Sequence, residues 1–164
     1  MLRDKNLIPL SHQHQHALAL CVRIERGVEA GKTDLEPWLV EISALYQQEI
    51  AIHFAAEEEV LFPAAARFGE LTLLVDELLN EHMTLRQMFS QALARDLDAN
   101  GVRRLGQALS QHIRKEERQL FEDMQRLMDE AELGRIGEAL NQELAEAPDS
   151  CILPSTETRL RPRK

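Results

Sequence analysis

The sequence predicts an all-α protein: an antiparallel up-down-up-down four-helix bundle with a short C-terminal fifth helix. Three observations carry that expectation. Apolar residues recur at steps of three and four along most of the chain, the spacing that lines one face of an α-helix. Only seven glycines and six prolines interrupt 164 residues, so the elements are long. The links between the long segments are short, and short links make neighbouring helices antiparallel.

The first helix opens near Ser11, a good cap after Pro9, and runs to about Glu29 before Gly31 stops it. Thr33 or Asp34 caps the second, which carries Pro37 in its first turn. It continues to about Arg67, with Pro63 expected to kink it or end it early, and Gly69 closes it. The third spans about Glu70 to Arg95, and Asn100-Gly101 makes the turn into the fourth, roughly Val102 to Met128. A shorter fifth helix covers about Ala131 to Glu146. Residues 1–146 are thus expected to form the bundle with its fifth helix, and residues 147–164 a flexible C-terminal tail.

The length is that of one ordinary domain, enough to bury a core without disulfide staples. With 44% hydrophobic and 29% charged residues the composition is globular. No apolar run approaches the ~20 residues of a membrane span, and no apolar stretch near the N-terminus reads as a signal peptide. Cys21 and Cys151 do not make a disulfide framework, so a reducing, cytoplasmic setting is expected. A net charge of −9 disfavours nucleic acid, which needs clustered cations. The basic end Arg159-Leu-Arg-Pro-Arg-Lys164 reads as a solvated tail.

The histidines decide the function. On the second, third and fourth helices, His53, His82 and His112 sit mid-stripe with apolar residues above and below. On the first helix the stripe through His14 (Ala17, Leu18, Cys21, Ile24, Val28) is apolar throughout, whereas that through His16 is broken by Arg23. His14 is therefore the inward residue, with His16 in reserve. One turn after two of these histidines come Glu57 and Glu116. A lone core histidine needs only a hydrogen bond, and a lone His-x-x-x-Glu reads as readily as a surface pair. Four imidazoles and two carboxylates facing one interior are costly unless cations neutralise them.

An internal repeat reinforces this. His53-Phe-Ala-Ala-Glu57-Glu58-Glu-Val-Leu61-Phe62 and His112-Ile-Arg-Lys-Glu116-Glu117-Arg-Gln-Leu120-Phe121 both read H-x-x-x-E-E-x-x-L-F. Such pseudo-twofold symmetry suits two metal ions bridged by two glutamates, each ion completed by two histidines. The candidate metal ligands are His14, His53, Glu57, His82, His112 and Glu116. Imidazole and carboxylate without thiolate suit iron, manganese or zinc. No histidine follows a glutamate by three residues, which disfavours ferritin-like diiron proteins, and none directly precedes a glutamate, which excludes a His-Glu-x-x-His zinc protease. Glu49 and Glu81 could steady ligand imidazoles, although acids at the surface edge are the simpler account of both. Gly27 to Thr33 is one residue too short for a phosphate-binding loop, and Asp96 to Gly101 imitates a calcium loop but is a capped helix connection.

Pro9-Leu-Ser-His-Gln-His14, His53-x-x-x-Glu57 followed by Leu-Phe-Pro, Glu81-His82 and His112-x-x-x-Glu116 stand in an order that resembles the hemerythrin-like, or HHE cation-binding, domain family over about residues 8 to 130. The resemblance implies two iron ions in a non-haem diiron centre, bridged by Glu57 and Glu116, with an oxo or hydroxo bridge expected between them. The chain departs from the oxygen carriers of that family. Arg86 stands where they have a second third-helix histidine, and the last pair is a four-residue step to Glu116 rather than a five-residue step to aspartate. It looks like the four-histidine, two-glutamate branch, which implies an open site for O2, NO or peroxide, used in sensing, detoxification or storage. The rival expectation is iron homeostasis: sensing, donating or oxidising Fe(II), including iron–sulfur repair. Repair proteins of the family typically carry a further N-terminal cysteine-bearing domain, which this chain is expected to lack. The partner is thus a small molecule; neither nucleic acid nor membrane is expected.

Overall fold

The computed structural model describes residues 2–31, 34–145 and 152–160. Among them are five helices and no strand: α1 (Ile8–Glu29), α2 (residues 36–66), α3 (Thr72–Leu93), α4 (residues 99–127) and α5 (Glu130–Leu144). None of the helices is long and apolar enough to cross a membrane.

Local chemistry sets the ends, and here the sequence expectations need correction. α1 starts at Ile8 rather than Ser11. Pro9 sits in its first turn, where a missing N–H costs nothing. Ser11 is no cap: its N–H donates to the Leu7 carbonyl and its hydroxyl donates to Glu117 across the bundle, at 2.7 Å. Gly31 adopts φ +68, the left-handed conformation that ends a helix cleanly. Asp34 accepts from the Glu36 N–H ahead of α2, while Thr33 lies outside the described residues. Asn100 and Gly101 are not the turn before α4 but its first turn, because Asp98 caps the helix by accepting from the Gly101 N–H at 2.7 Å. Asp129 and Glu132 form a reciprocal capping box on α5.

α2 and α4 are not regular throughout. Single π-turns interrupt α2 at Tyr46–Ile50 and Glu57–Leu61, and α4 at Glu116–Leu120. Pro63 therefore does not end α2. It falls just past the second π-turn, in the first turn of the α-helical stretch Phe62–Ala66.

The buried apolar residues divide into two clusters. One holds Ala17 to Ile24 of α1, Trp38 to Phe54 of α2, Leu85 to Ala92 of α3 and Val102 to Ile113 of α4. The other holds Leu7 and Leu10, Ala56 to Ala65 of α2, Leu71 to Leu78, Leu120 to Met128 and the inner face of α5. Between them lies a buried polar layer: His14, His53, Glu57, His82, His112 and Glu116. Gly27 lets α1 and α2 close together in the first cluster, since a Cβ there would meet the Trp38 ring at 2.5 Å.

Residues 152–160, part of the expected tail, lie against the bundle. Ile152 packs on the first cluster, Thr158 is buried, and the Thr158 carbonyl accepts from Arg23, whose guanidinium also pairs with Glu41. Residues 146–151, with Cys151, and residues 161–164 lie outside the described residues.

Candidate metal centre

Each of the four long helices delivers one imidazole to the polar layer: His14 from α1, His53 from α2, His82 from α3 and His112 from α4. Glu57 and Glu116 are the first residues of π-turns, one in α2 and one in α4. In both, the N–H of the following phenylalanine, Phe62 or Phe121, donates to the glutamate carbonyl five residues back. Both copies of the ten-residue repeat thus carry the same backbone irregularity at the same position. π-Turns of this kind gather at functional sites. All six predicted ligands are at most 2% exposed.

Their ligand atoms form two groups of four, each lying within 4.8 Å: His14, His53, Glu57 and Glu116 in the first pocket, and Glu57, His82, His112 and Glu116 in the second. The glutamates are shared by splitting their oxygens. Glu57 Oε1 is 3.1 Å from His53 Nε2, and its Oε2 is 3.3 Å from His82 Nε2. Glu116 Oε2 is 3.2 Å from His14 Nε2, and its Oε1 is 3.2 Å from His112 Nε2. Within each pocket the two imidazoles face one another through Nε2, at 3.0 Å in the first and 3.1 Å in the second. The four carboxylate oxygens are fully buried and accept no hydrogen bond. Carboxylates in that state are strongly disfavoured unless a cation sits among them. The donor set and its geometry fit bound metal.

Residues 9–124 match the hemerythrin HHE cation-binding domain. The chain belongs to that family. Comparison with the curated proteins and with the solved structures returns no match.

In this hemerythrin domain a second ring of side chains holds the imidazoles by their outer nitrogens. His14 Nδ1 meets Glu117 at 2.7 Å, His53 Nδ1 meets Gln13 at 2.8 Å, His82 Nδ1 meets Glu58 at 2.7 Å and His112 Nδ1 meets Glu81 at 2.8 Å. Such bonds fix the tautomer and aim Nε2 into the pockets. Sequence reasoning missed Gln13, Glu58 and Glu117. The signal for the last two was present in the Glu-Glu of the repeat, whose second acid reaches the histidine of a neighbouring helix. Glu81, on the simpler expectation a surface-edge acid, instead holds an imidazole, that of His112 rather than the adjoining His82. Glu49 is buried and pairs with His16, which is 59% exposed and stands outside both pockets. The repeat's phenylalanines wall the imidazoles. Phe62 lies against His82 and Phe121 stacks on His14, with ring centroids 5.2 and 5.6 Å away. Phe54 stacks on His82 at 3.8 Å.

The charges show how the layer is balanced when protons are the only cations. Burial opposes a charged imidazole at His14, but Glu116 and Glu117 beside it raise it to about 9 overall. Burial likewise opposes charge at His112, and Glu116 and Glu81 raise it to about 10. Glu57 and Glu116 are pushed up by burial, yet the surrounding imidazoles hold both below the ordinary carboxylate range. Glu117 is held at about 2 against its burial by His14 and Ser11.

A pH dependence follows. The raised imidazoles favour folding fully below the unfolded value of about 6.5 and cease to do so as pH climbs through 9 to 10. The metal-free protein is therefore expected to melt at progressively lower temperature between pH 6.5 and 10. A metal displaces these protons, so loading at pH 7 should release them and apparent affinity should rise with pH. Calorimetry in buffers of different ionisation enthalpy reads the release; loading without proton release would contradict this account.

Proposed function

We propose that this chain is a non-haem diiron protein that binds O2 or a related small oxidant, NO or peroxide, for sensing, detoxification or storage. The observation that carries the reading is the pair of four-ligand pockets sharing both carboxylates of Glu57 and Glu116. Bridging carboxylates in a helical bundle are characteristic of two-iron centres. In this reading His14 and His53 hold one iron, His82 and His112 the other, and Glu57 and Glu116 span both. Two irons bound there would supply redox chemistry toward a small oxidant. With four protein ligands around each metal position, room is left for an exogenous molecule.

The chain's own residues do the remaining work. Glu117, Gln13, Glu58 and Glu81 orient the imidazoles, and the rings of Phe54, Phe62 and Phe121 with the two apolar clusters keep bulk water out. The proposed arrangement is up-down-up-down. It is supported by the order of the clusters along the chain, since α1 and α3 run from the second cluster to the first, and α2 and α4 run back. Residues 1–146 are proposed as the domain with residues 147–164 as its tail, in a cytoplasmic setting consistent with the buried free thiol of Cys21.

The test is anaerobic loading with Fe(II), followed by metal analysis and visible spectra before and after O2, NO or peroxide. The expected result is about two irons per chain, as two shared pockets require, and a new visible band on exposure to one of these molecules. Fewer than about one iron per chain with no new band would sink the proposal. Continuous consumption of Fe(II) with oxygen would instead support the iron-homeostasis role.

A further inference from the structure

The metal layer is close to twofold symmetric, and one departure from that symmetry has a chemical meaning. The pair α1 and α2 corresponds to the pair α3 and α4. His14 answers to His82, His53 to His112, Glu57 to Glu116, and Glu58 with Phe62 to Glu117 with Phe121. The outer partners obey the same relation. Glu58 holds His82 and Glu117 holds His14, each from the position after a bridging glutamate. The partners of His53 and His112 come from the positions before His14 and His82, and here the residue types differ. His53 Nδ1 meets the neutral amide of Gln13 at 2.8 Å, whereas His112 Nδ1 meets the carboxylate of Glu81 at 2.8 Å.

The surrounding cations temper this contrast without removing it. Each supporting carboxylate has its own counter-charge on the outer side. Arg3 pairs with Glu117 at 2.7 Å, Arg86 with Glu58 at 2.6 Å, and Lys115 with the other oxygen of Glu81. In the second pocket both imidazoles are backed by carboxylates. In the first, His14 is so backed and His53 is not. An imidazole N–H donating to a carboxylate leaves its other nitrogen more basic and a stronger metal donor than one donating to an amide.

We propose that Gln13 and Glu81 make the two metal positions unequal. The pocket of His82 and His112 fills first and holds its ion tightly, while the pocket of His14 and His53 is the weaker and exchangeable one. The inference rests on the metal-centre reading and adds which half is labile and why. Gln13 and Glu81 act as positioning residues: each meets the outer Nδ1 of its imidazole, while Nε2 faces the pocket.

Shared glutamates alone can separate two binding steps through repulsion between ions, so two steps are not the diagnostic. The diagnostic is how each step answers to substitution. The whole 164-residue chain is titrated anaerobically with Co(II), with calorimetry and ligand-field absorption as readouts and circular dichroism to verify folding. Glu81→Gln is expected to weaken the tight step by about ten- to a hundredfold. Gln13→Glu is expected to strengthen the weak step by a comparable factor and bring the two closer. His53→Ala should keep the tight step, and His112→Ala should lose it. Co(II) binding unchanged in both Gln13→Glu and Glu81→Gln, or equal losses in His53→Ala and His112→Ala, would overturn the inequality alone. Failure of folded wild-type protein to bind any Co(II) would overturn the metal-centre reading itself.

Discussion

Glu57→Ala is expected to strip metal from both halves of the centre, whereas His53→Ala strips it from one. The difference follows from geometry. Glu57 gives Oε1 to the His53 side and Oε2 to the His82 side, at 3.1 and 3.3 Å, so its removal takes an anionic ligand from both pockets at once. His53 belongs only to the first pocket. Purified under identical iron supply, Glu57→Ala should retain less than about a tenth of the wild-type metal, and His53→Ala about half. Glu116→Ala should behave as Glu57→Ala does, because Glu116 divides its oxygens between His14 and His112 in the same way, at 3.2 Å each. Metal analysis of the folded variants decides the matter. Equal losses in the glutamate and histidine variants would mean that the ions bind as one inseparable unit, and full loading of Glu57→Ala would mean that Glu57 is not a ligand.

The helical fold and the six buried residues were legible because one physical rule governs both: what shares a helical face with apolar residues goes inside. His82 between Leu78 and Leu85 is the plainest case. The rule fails where the helix stops being regular. Each π-turn inserts one residue into a turn and rotates everything after it. Regular spacing carried on from His53 and Glu57 would turn Val60 and Ala64 inward, but Leu61, Phe62 and Ala65 are the deeply buried set. No residue type announces a π-turn. The doubled glutamates of the repeat open it, with Glu57 facing the pockets and Glu58 reaching His82. Contacts between helices were likewise beyond a single-helix reading. The reach of Glu81 to His112, of Gln13 to His53 and of Ser11 to Glu117 depends on how neighbours are placed, not on spacing within one segment. The choice of His14 over His16 was legible, since Arg23 on the His16 stripe points to a polar face, and in the structure Arg23 pairs with Glu41 there.

Metal-free protein should be limited in stability by the same six residues proposed to bind metal, and the double variant Glu57→Leu/Glu116→Leu is expected to show it. Both carboxylates are wholly buried between two apolar clusters and accept no hydrogen bond. Without metal they are compensated by protons on His14 and His112. Replacing buried charged groups with apolar residues of similar size is often neutral or stabilising, by about 1–4 kcal/mol. With the glutamates gone, His14 and His112 lose the carboxylates that raise them, and all four imidazoles keep their Nδ1 partners. At roughly 2–4 °C per kcal/mol for a chain of this size, the metal-free variant should melt several degrees above metal-free wild type. Wild type should recover on loading, because a ligand at a hundred times its Kd adds about 2.7 kcal/mol per site, while the variant should not respond to metal at all. Scanning calorimetry of both proteins with and without Fe(II) therefore has a definite expected order: loaded wild type or the variant highest, metal-free wild type lowest. A variant melting far below metal-free wild type, together with a wild type indifferent to metal, would show that the glutamates hold the bundle together by themselves. That order separates a site maintained at a cost to the empty fold from a polar layer that merely joins four helices.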